Sequence, residues 1–389
     1  MRTTRGKPTL ALGTEGEPAL AAALGAALAH TDRQDRCTHG FHTYPAGLHP
    51  EAARDLLAAL PGRRVLDPFC GGGTVLVEAL RAGREVEGAD VSAVARLVAR
   101  LRTARTDEAL RTRLRATARA LTEQARQARD LPSPDVLAVV GDWYAPEVLR
   151  ELASLRRGIE EATVDEEVRI LLLGVLSSLL IKVSWQVSDT SARREPHVRP
   201  PGTTAILFHK KARELARRLE ALEEDIPEGT PPARVVNRDA RTPLPDGSVD
   251  LVLTSPPYPA VYDYLPMQAL REAWLGVRSD AGAEIGARRD FRRPESAYAR
   301  WVRSTDDWIA AVARALAPGG HLAIVVGDGL IEEGTVETRE PTLRAAHAAG
   351  LVFRASATLS RPDHARRAVR DEHVMVVQAP GRASGPVRG

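Results

Sequence analysis

A chain of 389 residues and 42.1 kDa, 43% of them hydrophobic, can bury one large core or two modest ones, and reads as a main domain carrying an insertion. Its longest apolar run, Ile170 to Ile181, falls short of the ~18 residues of a membrane span; no early apolar stretch ends in a cleavage site, and Cys37 and Cys70 offer no disulfide framework. A reducing, cytoplasmic setting without a membrane partner is therefore expected. Net charge is only +3, yet lysine stands only at Lys7, Lys182, Lys210 and Lys211, so nearly all of the 54 basic side chains are arginines. Arginine suits forked contacts with phosphate and guanine, but it also simply accompanies an alanine- and arginine-rich composition.

In chain order, residues 1–36 read as a loosely held arm with one alanine-rich helix, Pro18 to His30. Cys37 to Pro50 is dense in turn residues and carries His39, His42 and His49. A metal site is one reading of the three histidines, but cysteine partners and an HxxxH spacing are both missing. The other is a loop leading into a helix from Pro50 to Leu60, with Pro50 in the first turn. Arg64 to Asp67 is a strand running into Cys70-Gly-Gly-Gly73 and then an apolar-periodic helix from Thr74 to Arg81, the opening of a Rossmann-like unit. The glycines let backbone approach a ligand, and the helix start offers unpaired N–H groups to a carboxylate or phosphate. A second strand, Glu85 to Ala89, ends in Asp90, where an acid can grip a ribose diol. The spacing is not GxGxxG and no GK[ST] follows, which disfavours a dinucleotide or a nucleoside triphosphate.

From Ala104 to about Glu228 the pattern turns helical and charged, with helices expected over 146–158, 168–181 and 203–225. Between the last two lies a loop, Lys182 to Gly202, carrying Trp185, Arg193, Arg194, His197 and Arg199. It is either a solvated loop or a surface that grips a nucleic-acid backbone. Alternating strand and helix patterns then resume: a strand over Arg234 to Asn237, Asp239 at its end, a strand from Val249 to Leu253, and a helix near Met267 to Trp274. Glu284 to Arg293 is a second basic loop with Arg288 and Arg289. A helix from Thr305 to Leu316, a strand from His321 to Val326, a helix near Glu340 to Ala349, and an antiparallel edge pair, Leu351 to Thr358 with His373 to Val377, complete the domain. The expected organisation is a Rossmann-like α/β domain over 37–103 and 234–380, mostly parallel with an antiparallel last strand, a helical insertion over 104–233 that is a possible target-recognition element, and a disordered tail over 381–389.

The stretch Asp250 to Tyr258 carries the chemistry. After a buried strand, two consecutive prolines fix φ and supply no N–H, which frees the carbonyls of Ser255 and Pro256 to face a ligand. An exocyclic base amine is conjugated into its ring and is a poor nucleophile, so methylating it needs acceptors that hold its N–H bonds. Ser255 Oγ and the Pro256 carbonyl are candidates, and Tyr258 is a plate on which an extruded base can stack. An ordinary Pro-Pro turn with a packing tyrosine is the plainer alternative.

Taken together, these motifs resemble those of the S-adenosylmethionine-dependent amino-methyltransferases of the DNA cytosine-N4/adenine-N6 family. Asp67-Pro-Phe-Cys-Gly-Gly-Gly-Thr74 is similar to their DPFxGxGT cofactor loop, Thr254-Ser-Pro-Pro-Tyr258 to their TSPPY motif, and His42-Thr-Tyr-Pro-Ala46 to an HxYPA segment that closes over the cofactor. The resemblance implies that Tyr44, Pro45, Asp67, Pro68, Phe69, Gly71, Gly73 and Thr74 line the methionine end of the cofactor, Asp90 the ribose and Asp239 the adenine. It likewise implies that Ser255, Pro256, Pro257 and Tyr258 hold the target base. From the composition of the two basic loops, Trp185, Arg193, Arg194, Arg199, Arg288 and Arg289 are the candidates for contact with the nucleic acid. The expected partner is double-stranded DNA with a flipped base, the expected cofactor S-adenosylmethionine, and no metal is called for. The chain departs from the family in the long insertion between the Asp90 and Asp239 strands. An RNA guanine-N2 methyltransferase, a protein-amide or small-molecule methyltransferase, and a non-catalytic nucleic-acid-binding protein of the same fold are the rival readings.

Overall fold

The computed structural model describes residues 12–31, 35–45, 47–191, 193–332, 334–363 and 368–381. Strand β1 (Leu12–Gly16) leads into α1 (Pro18–Leu28), then α2 (Pro50–Ala59), β2 (Arg64–Asp67), α3 (Thr74–Arg81), β3 (Glu85–Ala89) and α4 (Ala93–Arg102). A run of helices follows: α5 (Glu108–Ala125), α6 (Pro134–Val140), α7 (Pro146–Glu161), α8 (Glu166–Val183) and α9 (Thr203–Asp225). The sheet resumes with β4 (Arg234–Val236) and β5 (Val249–Thr254), then α10 (Tyr264–Met267), α11 (Ala269–Leu275) and α12 (Pro294–Ala315). The chain ends in β6 (Leu316–Gly327), a small hairpin of β7 (Gly329–Ile331) and β8 (Gly334–Val336), α13 (Arg339–Ala348), β9 (Val352–Asp363) and β10 (Ala368–Gln378).

Eight strands form one sheet in the order β1-β9-β10-β6-β5-β2-β3-β4. β4, β3, β2, β5 and β6 run parallel, while β10 lies antiparallel between β6 and β9. The fold is the mostly parallel, Rossmann-like α/β arrangement. From β2 the chain moves outward through β3 to β4 and returns on the other side with β5, so the strand order reverses between β2 and β5. Ligands of open α/β sheets bind outside the carboxyl ends of the strands at such a reversal.

Each face of the sheet buries its own core. Leu24, Leu56, Leu57, Leu76 and Leu80 of α1, α2 and α3 cover one face with Leu251 and Val374, and Trp308, Ile309 and Val312 of α12 cover the other with Val252, Leu322 and Met375. The alternation along β5 and β10 that divides these residues is the period-two pattern of strands. Removing their apolar surface from water, worth about 25 cal/mol per Å², stabilises both layers. The inserted helices form a third core around α8, whose Leu172, Val175, Leu176 and Leu179 are fully buried against α5, α7 and α9. α5 is started by Asp107, whose carboxylate accepts the Leu110 amide at 2.7 Å, a helix cap.

Several expectations change. The N-terminal arm is no loose segment: β1 pairs with β9 from Leu12↔Leu359 to Gly16↔Ala355, and α1 packs on the sheet through Ala21, Leu24 and Leu28. The β9–β10 pair is consequently not the sheet edge, and both strands run further than the apolar pattern indicates, to Asp363 and from Ala368. α12 begins eleven residues before the expected start, because Ala297 and Trp301 continue its buried stripe upstream of Thr305 and Pro294 suits a first turn. Residues 1–11 of the arm and 382–389 of the tail lie outside the described residues. Among the described residues no helix is long and apolar enough to cross a membrane.

Candidate active site

β2 and β5 are bound to each other at their carboxyl ends by side chains. Thr254, fully buried, donates from Oγ1 to Asp67 Oδ1 at 2.7 Å, and the Phe69 amide donates to the same oxygen at 3.2 Å. Burial pushes the Asp67 carboxyl up to about 7; the Thr254 and Phe69 hydrogen bonds pull it down, and the nearby Asp90 charge adds to the rise.

Beyond Asp67 the chain makes the turn that the glycines permit. Gly71 and Gly73 have φ of +48° and +80°, values that suit glycine. A Cβ on Gly73 would stand 3.0 Å from the Ala99 Cα, and one on Gly71 would stand 3.4 Å from the Tyr44 ring. The turn is thus pressed between α4 and Tyr44. Asp90, at the end of β3, accepts the Gly71 amide on Oδ2 at 2.9 Å and the Ser92 amide on Oδ1 at 2.8 Å. Burial raises the Asp90 carboxyl, with those amides acting against it.

These residues wall one cleft. It is lined by Tyr44, Pro45, Asp67, Pro68, Phe69, Gly71, Thr74, Asp90 and Asp239, all expected there, together with Ser255 and Pro257 from the loop after β5. Gly73 does not line it, serving instead as the N-cap of α3. Sequence reasoning missed Val91, Ser92, Arg238, Ala240, Tyr264, Leu265, Glu284 and Ile285. Val91, Ser92, Arg238 and Ala240 were legible as immediate neighbours of Asp90 and Asp239; Tyr264 and Leu265 come from the short α10 and Glu284 and Ile285 from the segment between α11 and α12, none of them in a motif. The Asp239 carboxylate is held by its own neighbour Arg241, whose amide and Nε donate to Oδ1 at 2.9 Å each and whose Nη2 donates to Oδ2. Burial acts upward on Asp239, but the Arg241 bonds outweigh it and keep the acid below its ordinary value.

A second cavity adjoins the first and shares Ser255, Gly47 and Leu48 with it. Its other walls include Tyr258, Tyr262, Arg361, Arg370 and Glu372, with His30 and His49 at the α1–α2 side. The voids, counted to their open mouths, measure about 940 and about 1060 Å³. The Tyr258 hydroxyl donates to Glu372 Oε1 at 2.9 Å and lies within hydrogen-bonding reach of Ser255; burial, then the Glu372 charge, holds the phenol far above its usual range. Its ring rests on Gly327, where a Cβ would come within 2.7 Å of Cε2. Pro256 is buried and lines neither cavity. Among the described residues no amide donates to the carbonyls of Ser255 or Pro256, in keeping with the two prolines that follow Ser255.

The remaining candidates are placed elsewhere. Trp185 donates its indole N–H to the His197 carbonyl and lines a separate hollow beside Phe41 and Lys211. Arg193 pairs with Glu195, Arg194 binds the Asp142 carbonyl over the Trp143 ring, and Arg199 binds the Lys182 carbonyl. Arg289 is engaged by Asp263 and Glu284, and neither it nor Arg288 lines the two cavities. The three histidines diverge: His39 contacts Glu78 at 2.6 Å, His42 lies against the Ser177 hydroxyl at 2.9 Å, and His49 contacts Glu51 at 2.9 Å. His42 Nδ1 faces the Thr43 carbonyl, which can only accept, so that nitrogen carries the proton; burial, then the charges of Arg271 and Arg102, holds the ring neutral. Cys70 is buried in the turn, and burial drives its thiol far above the ordinary value, which favours the protonated thiol.

Residues 41–131 match the family described as RMKL-like, methyltransferase domain. The chain is 23% identical over 274 residues to the type II methyltransferase M.MvaI of Kocuria varians, a match covering 64% of this chain and 60% of that protein. Among solved structures, an S-adenosylmethionine-dependent methyltransferase of Methanosarcina mazei overlaps 87% of this chain and 99% of its own, at 9% identity and a TM-score of 0.34. TrmN of Thermus thermophilus overlaps 86% of this chain and 50% of its own, at 14% identity and a TM-score of 0.33. Both overlaps are too loose to bear on function. Residues 41–131 thus resemble a methyltransferase domain, for which S-adenosylmethionine is the expected cofactor. The cleft suits it: Asp90 keeps a second lone pair on each oxygen for a ribose diol, and the cradle at Gly71 closes against Tyr44.

Proposed function

We propose that the protein methylates an exocyclic amino group of a DNA base, cytosine N4 before adenine N6. One observation carries the reading: Ser255 is a wall of both the cofactor cleft and the neighbouring cavity, so a group held at its hydroxyl faces both. S-adenosylmethionine, when bound, supplies the methyl group as an electrophilic sulfonium. Tyr44, Asp67, Phe69 and Thr74 would hold its methionine end, Asp90 the ribose and Asp239 the adenine amine. Ser255 Oγ would accept an N–H bond of the target amine and draw its lone pair out of conjugation; Pro256, which lines neither cavity, would act only by shaping the turn. Tyr258 fixes Ser255 from behind, and most of the rate comes from this positioning rather than from a covalent intermediate.

The test is a labelled-methyl assay on unmethylated DNA and, in parallel, on total RNA. Label on DNA, lost in Ser255→Ala while cofactor still binds, is the expected result, and Cys70→Ala retains measurable transfer. Label confined to RNA, or undiminished turnover in Ser255→Ala, overturns the reading.

A further inference from the structure

Among the described residues, one cation of the second cavity has no carboxylate paired with it. Arg370 on β10 stands directly across from Arg361 on β9, and like charges paired across strands are destabilising. Two acids beside it on β10 are already committed. Glu372 gives Oε2 to Arg361 Nε and Oε1 to the Tyr258 hydroxyl, while Asp371 accepts from Ser360. Arg361 also donates to the Leu28 carbonyl, which fixes it in place. For Arg370 the contact among the described residues is with the Tyr258 ring, 5.9 Å from guanidinium carbon to ring centroid, near the outer limit of a cation–π contact. A half-buried guanidinium thus lies loosely over the aromatic ring of a cavity that opens on Ser255.

We infer that Arg370 reads the target base and makes it cytosine. This rests on the reading of the site given above and adds to it the group that chooses the base. With its amine at Ser255, cytosine presents N3 and then O2 along the same edge, both acceptors, which a guanidinium fork can meet with two N–H donors. Adenine presents N1 and then a C–H, so one donor of the fork would be left unmatched in the cavity. A hydrogen-bonding site rejects the analogue that leaves its polar groups unpaired. An extruded base entering over Tyr258 displaces Arg370 from the ring face and meets its donors at the edge. Glu372 holds Arg361 and Tyr258 fixed meanwhile and acts as a positioning residue.

The experiment first locates the modified site by sequencing that reads modified bases, then places either cytosine or 3-deazacytosine at the target position. 3-Deazacytosine keeps the amine and O2 but lacks the N3 acceptor. Arg370→Gln is expected to slow methylation of cytosine at least tenfold with cofactor affinity within twofold of wild type, and to cost 3-deazacytosine much less. Arg370→Lys, which keeps the charge without the fork, is expected to rescue poorly, and it supplies the readout should Arg370→Gln fail to fold. Equal losses on both bases, less than a twofold loss on cytosine, or N6-methyladenine as the wild-type product overturn the inference and leave DNA amine methylation standing. An absence of any methylated DNA base with wild type overturns both.

Discussion

The Thr254 hydroxyl and the Asp67 carboxylate, one at the end of each strand flanking the reversal in the sheet, share a fully buried 2.7 Å hydrogen bond. That bond sets the distance between the glycine turn and the Ser255 loop. Thr254→Val keeps the shape and deletes the donor, which leaves a buried acceptor short of a partner and costs about 1–3 kcal/mol. Urea unfolding should report that loss and calorimetry a weaker affinity for S-adenosylmethionine. Unchanged values in both would mean that the bond does not hold the two loops together.

Asp67 also sets a pH dependence. With its carboxyl pushed up to about 7 by burial, the folded protein keeps a proton that the unfolded chain has released above its ordinary value near 4. The contribution of this group to stability therefore falls as pH rises from about 4 to about 7. A sulfonium beside it favours the carboxylate, so affinity for S-adenosylmethionine should rise several-fold between pH 6 and 8. S-Adenosylhomocysteine has a neutral sulfur and the same amino-acid end. The ratio of the two dissociation constants isolates the effect, and Asp67→Asn should flatten it. A ratio independent of pH in the unaltered protein would remove Asp67 from the methionine end.

Tyr258 and Glu372 test the difference between a packing tyrosine and a functional one. Tyr258→Phe keeps the ring on Gly327 and removes the hydroxyl that joins Glu372 to Ser255. Losing one positioning hydrogen bond of about 1–2 kcal/mol corresponds to a fall in kcat of roughly 5- to 30-fold. Glu372→Gln should lose a similar factor and also loosen Arg361. Cofactor affinity should hold in both, as neither residue lines that cleft. Wild-type kcat in Tyr258→Phe would return the residue to a packing role.

Much of this site is written in local chain chemistry. The Asp67 to Thr74 turn, the Asp90 terminus and the proline pair were readable because each declares itself within a few residues, and α3 and α9 follow the expected ranges of 74–81 and 203–225. The second cavity was not readable. Its walls are drawn from α1, the loop after β5 and the β9–β10 pair, residues hundreds of positions apart that only the sheet order brings together. Arg370 and Glu372 fall just ahead of the expected strand, His373 to Val377, and belong to no motif, and β1 carries no apolar alternation, since all five of its residues are exposed. The arginines around Trp185, which look like a nucleic-acid grip in composition, contact carbonyls and acids of the insertion.

Ala260 carries a cost that bears on the same loop. Two residues past Tyr258 it has a φ of +61°, a left-handed conformation that costs a non-glycine residue about 1–2 kcal/mol. It is kept there by the hydrogen bond its amide donates to the Gly286 carbonyl at 3.0 Å and by burial against Phe291, Ala297 and Val336. Such strain persists where the surroundings over-determine it, and here it fixes the exit of the Ser255–Tyr258 loop. Ala260→Gly relieves the strain but gives up a buried methyl and some rigidity, so net stability should change by no more than about 1 kcal/mol. The freed loop should hold the target amine less well, lowering kcat several-fold at near-constant cofactor affinity. Thermal melts and single-turnover methyl transfer separate the two effects; a variant both more stable and fully active would show that the strain has no part in placing Ser255.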